Sequence, residues 1–408
     1  MGALHLVDHT KDRYYSLSLS SVWDFPTLRK ARALVVGAGA LGNEVAKNLT
    51  MMGVRVIAVL DRDTVEVANL SRSIFFRESD HGRPKAEVLA ERLREVNPDV
   101  EILSLNGDLD EVLGLGFLRR MDMVFSCLDS RLARRTLNRM CEKVAKPWVD
   151  GAMENLLGEV TVFMPDHGPC YECNLTQLEK EIISDVASCS VIAVKNLALG
   201  KVPTTSTMGS IIAALQVQEG VKLLHGDFKR ALIGRRLVVN SEANDIYVSA
   251  FQRKDECEGH FRLGKIVEEF GFAVAATTPA NILERYRADT GADGHLALGR
   301  EIVTEVNCPD CGTGDFLARP VRVLNEGQVR CPECQKLRNV KTARVVTGSE
   351  LYAGFSLGSL AVPALDILEV RGAAGPRWYE LTGDLAAFSG LEDASPAKAA
   401  GASDGREG

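Results

Sequence analysis

Short apolar runs alternate with amphipathic stretches through the first part of the chain. "ALVVG" is one such run, "NEVAKNLTMMG" puts Val45, Ala46, Leu49 and Met52 on one helical face, and "RVIAVLD" is a second run closed by Asp61. That order predicts a strand, a helix and a strand. In "PKAEVLAERLREVNP", Pro84 opens a helix with Ala86, Leu89, Leu93 and Val96 at helical spacing. Strands are predicted next at "VEILSL", "DMVFSCLD", "KPWVDG" and "GEVTVFMP". Alternation of this kind implies an α/β fold: a doubly wound, mostly parallel, Rossmann-like sheet with helices on both faces.

From about residue 174 to 207 the pattern becomes irregular, and "MGSIIAALQVQEGVKLLHG" then resumes as one largely apolar helix. "LIGRRLVVNSEANDIYVSAF" predicts antiparallel strands. The organisation expected is an N-terminal segment (1–30), a nucleotide-binding domain (31–260) with a crossover connection at about 174–207, an accessory region with a cysteine-rich centre (261–345), a small further unit (346–388) and a disordered tail (389–408).

Composition narrows the class. With 408 residues, 46% hydrophobic and 25% charged, the chain has the make-up of a soluble multidomain protein. A net charge of −7 argues against a nucleic-acid-coating surface. No 18-residue apolar run suits a bilayer, and "MGALHLVDHTKDRYYS" lacks the regions of a secretory signal, so neither a membrane nor export is expected. The expected location is cytoplasmic.

Six of the ten cysteines form C-x-x-C pairs: Cys170/Cys173, Cys308/Cys311 and Cys331/Cys334. In a reducing compartment that spacing points to metal rather than disulfides. Cys127, Cys141, Cys189 and Cys257 remain.

"VVGAGALGNEV" sets Gly37, Gly39 and Gly42 between a strand and a helix, which permits a tight turn, close approach of backbone to phosphate and packing of helix on sheet. Asp61, 19 residues past Gly42, would bind a ribose. The glycines alone leave a dehydrogenase open. The next residues, "DRDTVEVANLSRSIFFRESDHGRPK", add Asp63, Asn69, Arg72 and Lys85 at the same edge. Hydride transfer has no need of them. Attack on the α-phosphate of ATP does, because charge building on the bridging oxygen must be met by Arg, Lys and a metal ion. Asp129, in "SCLDS", ends another strand where a carboxylate could hold Mg²⁺.

Over about residues 13–260 the chain resembles the superfamily of ubiquitin-like protein activating enzymes and the ThiF/MoeB-type sulfur-carrier adenylyltransferases of molybdopterin and thiamine synthesis. The motifs are "GAGALGNEVAKNL", "DRDTVEVANLSR", "GRPKAEV", "CLDS", "KPWVDGAMENLLGEVTVFMP" and "PCYEC". The resemblance implies that Gly39, Asp61, Asn69, Arg72 and Lys85 hold ATP, that Asp129 holds Mg²⁺, and that the enzyme is a homodimer. It departs in two places: "RYYSL" offers Arg13 and then Ser16 where the family carries a second arginine that reaches the other subunit, and Ser73 replaces the usual Gln. Arg13 is the substitute candidate.

Cys170 and Cys173, followed after 83 residues by Cys257 and His260, can close a tetrahedral zinc site, with imidazole in place of the family's usual fourth cysteine. Cys308, Cys311, Cys331 and Cys334 form C-x₂-C-x₁₉-C-x₂-C, the pattern of a structural zinc ribbon. Two Zn²⁺ sites are therefore expected.

"ASCSVIA" and "VPTTSTMG" resemble the segment that carries the thioester-forming cysteine of the activating enzymes, which assigns that role to Cys189. "FSLGSLAVPALDILEVRG" and "PRWYELTGD" resemble a β-grasp tail that recruits a conjugating enzyme. The function expected is adenylation of a ubiquitin-like protein, thioester formation on Cys189 and handover to a conjugating enzyme. The alternatives are a sulfur-carrier adenylyltransferase and a non-catalytic subunit that binds a β-grasp partner.

Overall fold

Eight strands form one sheet in the computed structural model, which describes residues 12–181, 203–269, 271–321 and 324–392. They are β1 (Arg32–Val36), β2 (Val56–Asp61), β3 (Glu101–Asn106), β4 (Met123–Ser126), β5 (Trp148–Glu154), β6 (Leu157–Phe163), β7 (Arg235–Asn240) and β8 (Asp245–Ala250). Their order is β3-β2-β1-β4-β5-β6-β7-β8. The run from β3 to β5 is parallel, and β6 to β8 extend it antiparallel. This is the mostly parallel sheet expected, with an antiparallel wing.

Both faces of the parallel strands are covered, which is why they read as unbroken apolar runs. Ala33, Val35, Ile57 and Val59 pack on one side, under α1 (Ala40–Met51), α2 (Lys85–Val96) and α5 (Ser206–Leu224). Leu34, Val36, Val56 and Ala58 pack on the other with α3 (Leu115–Arg120) and α4 (Arg131–Lys143). The helical faces read from the sequence point inward, except that Met52 falls just past α1 and Val96, in the last turn of α2, is 37% exposed.

A second sheet contains β9 (Ile266–Glu268), β10 (Gly294–Asn307), β11 (Gly314–Pro320), β12 (Asn339–Val346), β13 (Ile367–Gly372) and β14 (Arg377–Glu380). Its order is β11-β10-β13-β14-β9, with β12 also on β10. Helix α6 (Pro279–Thr290) covers it through Ile282 and Tyr286. Strand β10 pairs with both β12 and β13, so the stretches that the sequence separates at residue 345 share one sheet. Beyond the end of β12, residues 346–388 supply two strands, β13 and β14, and three short 3-10 turns.

This sheet leans on α3. Gly116 N donates to Leu365 O at 2.7 Å, Leu115 N donates to Asp366 Oδ1 at 3.0 Å, and fully buried Glu380 pairs with Arg119 and Arg120. A Cβ on Gly114 or Gly116 would collide with the backbone of Leu365, which accounts for the glycines of "LGLG".

Candidate functional site

The strand order reverses between β1 and β4, and their carboxyl ends therefore flank a crevice. Gly37 leaves β1 at φ +100°, with its N–H on Leu60 O at 2.7 Å and no room for a Cβ against the carbonyl of Cys127. A Cβ on Gly42 would overlap the carbonyl of Gly37. Gly39 caps α1, and a Cβ there would meet nothing within 4 Å. The first two glycines are needed for the turn; the third leaves open space at a helix N-terminus, where anions are favoured. That cradle fits a polyphosphate.

Asp61, the last residue of β2, accepts the N–H of Ala38 at 2.6 Å and that of Asp63 at 2.7 Å. Burial raises its pKa, against the pull of Lys85 and the two N–H groups. Asp63 in turn receives Lys85 Nζ at 3.1 Å. Lys85 is the first residue of α2 and only 9% exposed. Gly37, Ala38, Asp61, Asp63 and Lys85 are thus joined by successive contacts.

Asn69 and Arg72 lie at and just beyond a short 3-10 turn, Val67–Asn69, between β2 and α2. Their side chains serve that segment: Asn69 Oδ1 accepts Glu66 N at 2.9 Å, and Arg72 Nη1 donates to Ala68 O at 2.7 Å. Neither side chain bonds to Asp61 or Lys85 among the described residues. The segment is fastened to the glycine turn by Asn43, a residue that the sequence reading passed over. Its Nδ2 donates to Ala38 O and Gly39 O at 2.8 and 3.1 Å, and its Oδ1 accepts Phe75 N at 3.1 Å. The available signal was a polar side chain in the first turn of an otherwise apolar helical face.

Asp129 follows β4 and is exposed. Burial opposes the charge on Arg62, but Asp108, Asp63 and Asp129 together hold its pKa above the ordinary value. Beneath lies a second group absent from the sequence reading. Asp150 Oδ1 accepts Ser126 Oγ at 2.6 Å and Arg134 Nε at 3.0 Å, while Gln216 Nε2 donates to Ser126 O and Val149 O at 2.8 Å each. Arg134 also bonds to Leu128 O, the residue before Asp129. This network braces the loop after β4, and its members are separated by up to 90 positions.

Cys189 lies outside the described residues. Burial pushes the thiols of Cys127 and Cys141 up, which suits packing and not nucleophilic attack. Arg13 donates to Val96 O at 3.1 Å, at the end of α2 remote from Lys85.

The expected metal ligands gather in two groups. Within each, the ligand atoms of Cys170, Cys173, Cys257 and His260, and of Cys308, Cys311, Cys331 and Cys334, all lie within 4.8 Å of one another. Zn–S bonds of about 2.3 Å put tetrahedral sulfurs roughly 3.8 Å apart. Here Cys170 Sγ is 3.8 Å from Cys173 Sγ and 3.7 Å from Cys257 Sγ, and Cys308 Sγ is 3.6 Å from Cys334 Sγ. Both donor sets fit zinc. Between the first pair, buried Glu172 accepts Arg135 Nε at 2.9 Å and Arg139 Nε at 2.6 Å, pinning the knuckle to α4. Among the described residues no helix is long and apolar enough to cross a membrane.

Residues 13–259, more than half of the sequence, match the ThiF family. The chain belongs to that family. Its relatives include the molybdopterin-synthase adenylyltransferase of Escherichia coli, 32% identical over 230 residues, which cover 55% of this chain and 87% of that protein. SUMO-activating enzyme subunit 2 of Dictyostelium discoideum is 34% identical over 158 residues, 38% of this chain and 24% of the subunit. This ThiF-family chain thus spans about a quarter of that activating subunit. A crystal structure of E. coli MccB with MccA-N7isoASN shares the fold at a TM-score of 0.50 and 22% identity, over 62% of this chain and 74% of that one.

Proposed function

We propose that this chain uses ATP to adenylate the C-terminal carboxylate of a small β-grasp protein, ubiquitin-like or sulfur-carrier. What carries the reading is the run of contacts from the open glycine turn through Asp61 and Asp63 to Lys85, at the crevice where the strand order reverses. A carboxylate oxygen of the carrier attacks the α-phosphorus, the bond from that phosphorus to the bridging oxygen breaks, and pyrophosphate leaves. Asp61 and Asn69 hold the nucleoside end, while Arg72 and Lys85 meet the charge that develops on the phosphates. Asp129 would hold Mg²⁺, which when bound neutralises phosphate charge. The two zinc sites are structural, and the enzyme works as a homodimer in which Arg13 reaches the partner's nucleotide.

In the next step the Cys189 thiolate attacks the acyl carbon, the bond to AMP breaks, and a thioester forms for handover to a conjugating enzyme. One observation favours a second reading, in which the chain stops at the adenylate and serves as a sulfur-carrier adenylyltransferase: that relative is matched over 87% of its length. ATP:pyrophosphate exchange with candidate β-grasp proteins, followed by a non-reducing gel, separates these. Exchange with a thiol-labile adduct that Cys189→Ala abolishes supports the thioester route, and exchange without an adduct supports the sulfur-carrier route. Absence of exchange with every carrier would reduce the chain to a partner-binding subunit.

A further inference from the structure

At the opposite edge of the sheet, where β1, β4 and β5 begin, lies a cavity of about 400 Å³. Its lining includes Lys30, Arg32, Asp122, Lys146, Asp166 and Arg262. The carboxylates are already matched: Arg32 Nε and Nη2 each donate to Asp122 at 3.1 Å, and Arg262 lies 2.8 Å from Asp166. Two cations remain. Lys30 is exposed at the rim, and Lys146 is 4% exposed, yet among the described residues its ammonium has neither a hydrogen bond nor an ion pair. Met164, Pro147, Leu224 and Phe228 supply an apolar wall beside them.

An ammonium set in a recess with no hydrogen-bonded or ion-paired partner is less well solvated than one in open water, and an anion entering the cavity would meet it. Alkyl and aromatic lining on one side and a fixed cation on the other is the make-up of a small-molecule site, and the volume falls within the usual range for one. We infer that this cavity binds an anionic small molecule, with a phosphate or carboxylate group on Lys146 and an apolar body against the Met164–Phe228 wall. The groups around Lys146 agree. Burial lowers its pKa to about 8, Arg32 and Arg119 act in the same direction, and Asp122 and the Cys141 thiol oppose them only in part. A bound anion would restore the charge. The site is separate from the glycine crevice and does not depend on the adenylation reading.

Isothermal titration of the full chain with phenyl phosphate and with benzoate tests this, the stronger of the two naming the anionic group. The expected result is saturable binding that Lys146→Met weakens at least about tenfold, as befits loss of a charged hydrogen bond, and that Lys85→Ala, in the nucleotide crevice, leaves unchanged. Met keeps the volume and removes a buried charge, so the variant should fold. As an independent readout, ¹³C-methylated Lys146 in the otherwise unaltered chain should titrate at higher pH when phenyl phosphate is bound. Binding that Lys146→Met does not weaken, no saturation by either probe below about 10 mM, or an unmoved Lys146 titration would each overturn the assignment.

Discussion

Asn43 Oδ1 accepts the backbone N–H of Phe75 at 3.1 Å, across 32 positions of sequence. The same amide donates to the carbonyls of Ala38 and Gly39, so one fully buried side chain ties the glycine turn to the segment that carries Arg72. Replacing it orphans these buried backbone groups. Asn43→Ala should lower stability by about 1–3 kcal/mol and reduce kcat/KM for ATP in the exchange assay more than a surface alanine does. Equal exchange activity with intact stability would show that the tie is dispensable.

Lys85 is held 3.1 Å from Asp63 and 9% exposed, and the proposed chemistry has it meet the developing phosphate charge. Removing one such preorganised donor typically costs about 10²–10³ in kcat. Lys85→Met and Arg72→Ala should each approach that loss while the melting temperature stays close to that of the parent. Single-turnover exchange, run beside thermal denaturation, separates loss of chemistry from loss of fold.

Metal analysis of the purified chain should find two zinc ions. Cys308→Ser should lower this to one and loosen the knuckles at the ends of β10 and β12. His260→Cys should retain both, since thiolate and imidazole serve tetrahedral zinc alike. Chelation should lower the unfolding temperature, because zinc bound only by the folded chain adds its binding energy to stability. An unchanged melting curve after complete metal removal would refute a structural role.

Glu142, on α4 and 4% exposed, has its pKa raised from 4.5 to about 7, chiefly by burial and against the pull of Arg253 and Arg262. The folded chain therefore binds more protons than the unfolded one between about pH 4.5 and 7. The neutral carboxyl's contribution is fully present below that window and is lost as pH rises through it. Glu142→Gln should be more stable than the parent at pH 8 by on the order of 3 kcal/mol and indistinguishable near pH 4.5. Urea midpoints of parent and variant at the two pH values check this; a difference independent of pH would contradict it.

Local pattern was enough for the elements of the first sheet. Runs such as "RVIAVLD" are apolar at every position because both faces are covered, and the glycines of "VVGAGALG" mark a turn that sterics demand. The two cysteine and histidine groups that fit zinc were legible too, since paired knuckles carry their spacing in the sequence whatever the fold does between them.

The second sheet was harder to divide, because β10 recruits β13 across more than 60 positions and no local signal announces a long-range partner. The same holds for Asn43, Asp150, Arg134 and Gln216, whose residue types are ordinary and whose roles exist only once distant strands and helices meet. By itself the sequence determined which segments become strands, which turn must be glycine and which side chains can bind metal, because those properties depend on neighbours a few residues away. Only the tertiary structure decided that Asp61 would clasp Ala38, that Lys85 would rest on Asp63 and that Lys146 would line a cavity with no direct ion-pair partner among the described residues, because strand order sets which ends of the chain's elements share an edge and which charges lose their water.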